Sequence, residues 1–117
     1  MVDDDKSALG ALTKYLRRIG HHVTPVDDSI EAWTLFQTDH SQFDLVITDM
    51  TMPRMTGAAL ARRILELRPA MPVILCTGYS KIIDAETART MGIREFVTKP
   101  LDLHSFGQTI RTVLDGS

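Results

Sequence analysis

Two short runs, Leu45-Val46-Ile47 and Val73-Ile74-Leu75-Cys76, constrain the fold of this chain more than any other feature. Each is apolar without alternation, rich in β-branched residues and flanked by turn residues. A strand that is apolar at every position has no face to give to water, so it belongs inside a sheet covered on both sides. Helices lying on both faces of parallel strands supply that cover. Val23 to Val26 reads as a weaker strand. Pro25 lacks the N–H that a ladder requires, which places this strand at an edge or makes it very short. A further strand is expected at Glu95 to Thr98, ending at Lys99-Pro100.

Between these runs the apolar residues change period. Leu9, Leu12, Leu16 and Ile19 recur at helical spacing after Ser7, a suitable N-cap, and Gly20 closes the segment. Ser29 is expected to cap a second helix with Ala32, Trp33 and Phe36 on one face. A third runs from Gly57 to Leu67 with Leu60, Ile64 and Leu67 along it, and Pro69 prevents its continuation. Ala85 to Met91 is a weaker helical segment. The last helix presents Phe106, Ile110 and Val113, with Gly116 beyond its end. Strands alternating with helices predict an α/β fold, a doubly wound parallel sheet with helices on both faces. A chain of 117 residues holds one such core, so residues 1–117 are expected to form a single domain.

The formal net charge is −2, which removes the basic field that would draw nucleic acid or an anionic membrane to the whole domain. Neither is expected as a partner. One cysteine, Cys76, excludes an internal disulfide and suits a small buried hydrophobe. No apolar run reaches membrane length, and Met1 to Lys6 is acidic where a signal peptide is basic, so the expected location is cytoplasmic. His21, His22, His40 and His104 lack metal-site spacing. Trp33 is expected to pack a helix against the sheet. Arg62, Arg63 and Arg68 are expected on a solvated helix face.

In a doubly wound sheet, ligands gather outside the carboxyl ends of the strands. Asp49 follows Leu45 to Thr48, Thr77 follows Val73 to Cys76, and Lys99 follows Phe96 to Thr98. Asp3, Asp4 and Asp5 stand where an opening strand would end. A right-handed parallel sheet brings these places to one rim. Crowded carboxylates repel one another, and a divalent cation with Lys99 would neutralise them, which suits an oxygen-ligated Mg²⁺ site. Screened in this way, Asp49 becomes a nucleophile towards phosphorus. Lys99 and the Thr77 hydroxyl are the groups to receive the phosphoryl oxygens.

Val2-Asp3-Asp4-Asp5, then Asp49-Met50-Thr51-Met52-Pro53 with Gly57, then Thr77-Gly78, then Lys99-Pro100, resembles the receiver domain of bacterial two-component response regulators. The resemblance runs over nearly the whole chain. It implies a flavodoxin-like fold and a phosphoacceptor at Asp49, charged from a phosphohistidine on a sensor histidine kinase or histidine phosphotransfer protein. It further implies that Asp4 and Asp49 bind Mg²⁺ with the Thr51 backbone carbonyl, Asp3 helping through water. Thr77 and Lys99 would hold the phosphoryl group, Phe96 would be the aromatic switch, and the Lys99-Pro100 bond would be cis. The switched face, made by the fourth helix, last strand and last helix, would signal to a downstream protein or neighbouring domain. Family members dock their kinase on the first helix, which here includes Leu9, Thr13 and Leu16. Thr77→Ala is expected to uncouple phosphorylation from that face. Neither Thr51 nor Tyr79 offers a carboxylate or amide to orient water, so slow hydrolysis of the phosphoryl group is expected.

One departure stands out. Receiver domains carry about five apolar residues before the acidic pair, whereas only Met1 and Val2 precede Asp3 here. The first strand is therefore expected to be short, or to need upstream residues, as in a larger parent such as a hybrid sensor kinase. A partner chain filling the gap would make a homodimer. Two other functions compete. A phosphatase of the haloacid dehalogenase type also uses an aspartate after a strand, but wants a second aspartate where Thr51 stands. A phosphorylation-independent scaffold would not need Asp4, Asp49, Thr77 and Lys99 intact.

Overall fold

The computed structural model describes residues 1–50, 52, 54–77, 92–98 and 102–115. Chain order is α1 (Lys6–Arg18), α2 (Ser29–Asp39), a 3₁₀ turn (His40–Gln42), β1 (Val46–Asp49), α3 (Gly57–Leu67), β2 (Val73–Thr77), β3 (Glu95–Thr98) and α4 (Leu103–Asp115). The expected helix at Ala85 to Met91 and the Lys99-Pro100 bond lie outside the described residues.

The three strands pair in parallel in the order β1-β2-β3, with Val46 opposite Val73 and Ile74 opposite Glu95. Every residue of β1 and β2 is buried, as uninterrupted apolar runs require. Alternation then divides the core. Val46, Val73 and Leu75 face Phe36 of α2 and Leu60 and Ile64 of α3. Ile47, Ile74 and Cys76 face Leu12 and Leu16 of α1 and Phe106, Ile110 and Val113 of α4. Among the described residues, α2 and α3 cover one face and α1 and α4 the other, which is the doubly wound arrangement.

The first strand contracts to one residue. Val2 makes isolated parallel bridges to Val26 on one side and Thr48 on the other. Its N–H donates to the Ile47 carbonyl at 2.8 Å, and its carbonyl accepts from Asp49 N at 2.9 Å. Across the other flank, Asp3 N donates to the Val26 carbonyl and Val26 N to the Met1 carbonyl. The expected strand at Val23 to Val26 is therefore a single bridge at Val26, just beyond the proline that cannot donate.

Several local expectations need correction. Asp5, not Ser7, caps α1: its Oδ1 accepts from Ser7 N at 3.0 Å and Ala8 N at 3.2 Å. Asp28, not Ser29, caps α2 through Ile30 N, and Ser29 is buried as the first helical residue. Helix α3 has its expected bounds, with Thr56 as cap, but Leu67 is exposed. Arg68 is not a purely solvated side chain, because its Nη1 donates to the carbonyls of His40 at 2.6 Å and Phe43 at 3.3 Å. Arg62 and Arg63 are exposed, Cys76 is buried, and Trp33 stacks on Phe36 at 6.5 Å. Among the described residues, no helix is long and apolar enough to cross a membrane.

Candidate functional site: a carboxylate cluster at the strand ends

The Val2 ladder sets the position of the site. By bonding Ile47 and Asp49 on one flank and Val26 on the other, it holds the beginning of the chain against the carboxyl end of β1. One carboxylate oxygen from each of Asp3, Asp4 and Asp49 consequently lies within 4.8 Å of the other two. Among the described residues this is the one such group of potential ligands, and no histidine joins it. Asp3 and Asp49 are buried, whereas Asp4 is exposed and opens the cluster to solvent. Asp3 Oδ1 also accepts from Asp5 N at 2.9 Å, which fixes its orientation. Three hard oxygen donors converging without nitrogen or sulfur fit a small divalent cation of the Mg²⁺ kind.

The backbone of Asp49 is clamped from three directions. Its N–H donates to Val2, and its carbonyl accepts from the Thr48 hydroxyl at 3.1 Å. Gly57, the first residue of α3, closes the third side. A Cβ built on Gly57 would lie 2.0 Å from the Asp49 carbonyl oxygen and 2.9 Å from Leu75 Cδ1. The absent side chain lets α3 approach the strand end, where Gly57 N donates to the Met50 carbonyl at 2.8 Å. Between them, Arg54 adopts a left-handed conformation, φ 71°, that non-glycine residues rarely take. Its guanidinium pairs with Asp28 at 3.1 Å, tying this loop to the cap of α2. Lys6 pairs with Asp27 at 3.5 Å beside it. Neither pair was legible in the sequence, since the partners stand 21 and 26 positions apart with no shared motif.

Thr77 ends β2, 1% exposed, with Thr98 as its partner in β3. It occupies the same rim as Asp49, since Asp49 pairs with Cys76, the residue before it. Phe96 is half-buried on the α2–α3 side of the sheet, opposite Leu75. Thr51, Lys99 and Tyr79 lie outside the described residues. Leu9, Thr13 and Leu16, on the helix where a kinase is expected to dock, are all buried.

Residues 1–111 match the family model of the response regulator receiver domain. The chain is 34% identical over its whole length to the transcriptional regulatory protein GlrR of Escherichia coli K12, of which it spans about a quarter. A crystallised receiver domain protein from Clostridium thermocellum superposes with a TM-score of 0.92 at 29% identity, covering 98% of this chain and 91% of that one. A chain of the crystallised CheX-CheY-BeF3-Mg²⁺ complex from Borrelia burgdorferi superposes at 0.88 with 25% identity, covering 96% of this chain and 84% of that one. The chain belongs to the receiver-domain family of two-component response regulators, whose function is phosphoacceptor signalling.

Proposed function

We propose that Asp49 is the phosphoacceptor and that residues 1–117 act as one receiver domain. The observation that carries this is the convergence of the Asp3, Asp4 and Asp49 carboxylates at the end of an interior strand. In the reaction, an Asp49 carboxylate oxygen attacks phosphorus, the P–N bond of a donor phosphohistidine breaks, and the electron pair leaves with the imidazole. Asp49 is suited to this because its backbone is held on both sides, so little motion is lost at the moment of attack. Mg²⁺, when held by Asp4, Asp49 and the Thr51 carbonyl with Asp3 acting through water, supplies positive charge against the phosphoryl oxygens. Thr77 and Lys99 receive those oxygens, one through a hydroxyl and the other through an ammonium. The donor is a sensor histidine kinase or histidine phosphotransfer protein, and the reader is a downstream protein or neighbouring domain.

The product adds negative charge and strong acceptor oxygens at the rim. Thr77, at the end of the strand beside β3, is placed to respond, and Phe96 to follow by repacking. Beryllofluoride with Mg²⁺, followed by amide NMR shifts, tests this coupling. Shifts are expected at Thr77, Phe96 and α4 in the wild type. In Thr77→Ala, shifts near Asp49 should persist while those of Phe96 and α4 shrink. Equal responses in both proteins would refute the coupling. The phosphatase reading is not favoured, because Thr51 stands where that chemistry wants an acid–base aspartate.

A further inference from the structure

Arg54 holds a backbone conformation that its side chain does not favour. Among the described residues, the others with positive φ are Gly20 and Gly92, whereas Arg54, at φ 71°, carries a Cβ. Glycine would take this conformation freely. Such a conformation persists where the surrounding structure enforces it, and positions of this kind gather at functional sites. The Arg54 guanidinium donates to Asp28 Oδ2 at 3.1 Å. With side chains 67% and 31% exposed, the pair contributes little to stability on its own. Stability therefore does not account for an arginine here; what the pair connects does.

Arg54 stands in the loop that runs from Asp49 to α3. The loop is fixed at both ends, by the bond from Asp49 N to the Val2 carbonyl and by the bond from Gly57 N to the Met50 carbonyl. Met52 and Met55 are buried in the core, while Arg54 between them is exposed. Asp28 lies two residues beyond Val26, which bridges Val2 on the flank opposite Thr48. The ladder that places Asp3 and Asp49 thus carries Asp28 as well. Both Asp28 oxygens are engaged, Oδ1 accepting from Ile30 N at 3.1 Å and Oδ2 from Arg54, which fixes the carboxylate. Asp49, its loop, Arg54, Asp28, Val26 and Val2 consequently form a closed circuit that passes through the carboxylate cluster. Thr51, proposed to offer its carbonyl to the cation, falls in sequence between Asp49 and Arg54.

We infer that Arg54 is a positioning residue for the metal site: its ion pair with Asp28 holds the loop after Asp49 against the acidic rim and thereby sets the affinity for Mg²⁺. This deepens the proposed function and rests on its reading of the rim as a Mg²⁺ site serving Asp49. The test titrates the whole chain with MgCl₂ and follows the amide shifts of Asp3, Asp49 and Met50, with thermal unfolding in EDTA alongside. Arg54→Gly removes the pair and suits the backbone, and Asp28→Ser removes the pair while keeping an oxygen to cap α2. Each should weaken Mg²⁺ binding about tenfold. The double variant should bind no more weakly than either single one, because both break the same interaction. Arg54→Lys, which keeps the charge, should recover part of the loss. Arg54→Gly should unfold in EDTA at or above the wild-type temperature, which separates lost affinity from a weakened fold. Unchanged Mg²⁺ affinity in both single variants, losses that add in the double variant, or affinity that falls only in step with the unfolding temperature would overturn the inference. A wild type with no saturable Mg²⁺ shift would overturn it as well. Labelling of the wild type with acetyl phosphate tells the two readings apart. Mg²⁺ binding without a phosphoryl adduct contradicts Asp49 as phosphoacceptor and leaves the role of Arg54 standing. A labelled wild type whose variants bind Mg²⁺ equally well refutes the role of Arg54 alone.

Discussion

Gly57 controls the site through a group it lacks. Its Cβ position falls 2.0 Å from the Asp49 carbonyl oxygen, a distance that no rotamer change relieves because the obstacle is backbone. Gly57→Ala must push α3 away from the end of β1, and overpacking of this kind costs about 3 kcal/mol. Urea denaturation of the variant measures that loss, and Mg²⁺ affinity should fall with it as Asp49 shifts. Gly57 could be picked out from the sequence only as part of a motif, because a wedge between helix and strand has no local signature. Thr13 behaves in the opposite sense. Thr34, Thr38 and Thr109 each donate to the carbonyl four residues before them, whereas the buried Thr13 hydroxyl makes no hydrogen bond. Thr13→Val keeps the shape and removes the unsatisfied group, so it should stabilise the domain by about 1 kcal/mol in the same assay.

At the scale of elements, the interior strands were legible because burial on both faces keeps charged residues out until the strand ends. Asp49 and Thr77 mark those ends for that reason. The helix starts were less legible. Ser7 and Asp5 are both good caps, and the choice between them depends on the bridge that Val2 makes with Val26 and Thr48, which no local pattern shows. Asp5→Ala should therefore destabilise the domain by about 1 kcal/mol, while Ser7→Ala should leave thermal unfolding nearly unchanged. Equal losses from the two substitutions would contradict the assignment of the cap. Arg68 escaped the sequence because its acceptors are carbonyls 25 and 28 residues earlier, brought close only when α2 and α3 pack. Likewise, Leu9, Thr13 and Leu16 repeat at helical spacing whether the helix shows or hides them, and here it hides them.

Taken as a whole, the molecule brings three carboxylates to one rim although its net charge is already negative. A cation that binds this rim in the folded state only should raise stability, so Mg²⁺ is expected to add about 2.7 kcal/mol at a concentration one hundred times its dissociation constant. Removing the metal with EDTA should reverse that gain. Asp49→Asn should be more stable than the wild type in EDTA and should gain much less from Mg²⁺, both readable from thermal unfolding. The acidic rim was legible in the sequence because strand order in a doubly wound sheet dictates which loops meet, even with a first strand reduced to Val2. The measurement that bears most directly on the central claim is intact mass after incubation with acetyl phosphate. One phosphoryl adduct is predicted with Mg²⁺, and none in EDTA or in Asp49→Asn. An adduct that persists in Asp49→Asn, or its absence from the wild type with Mg²⁺, would contradict the assignment of Asp49.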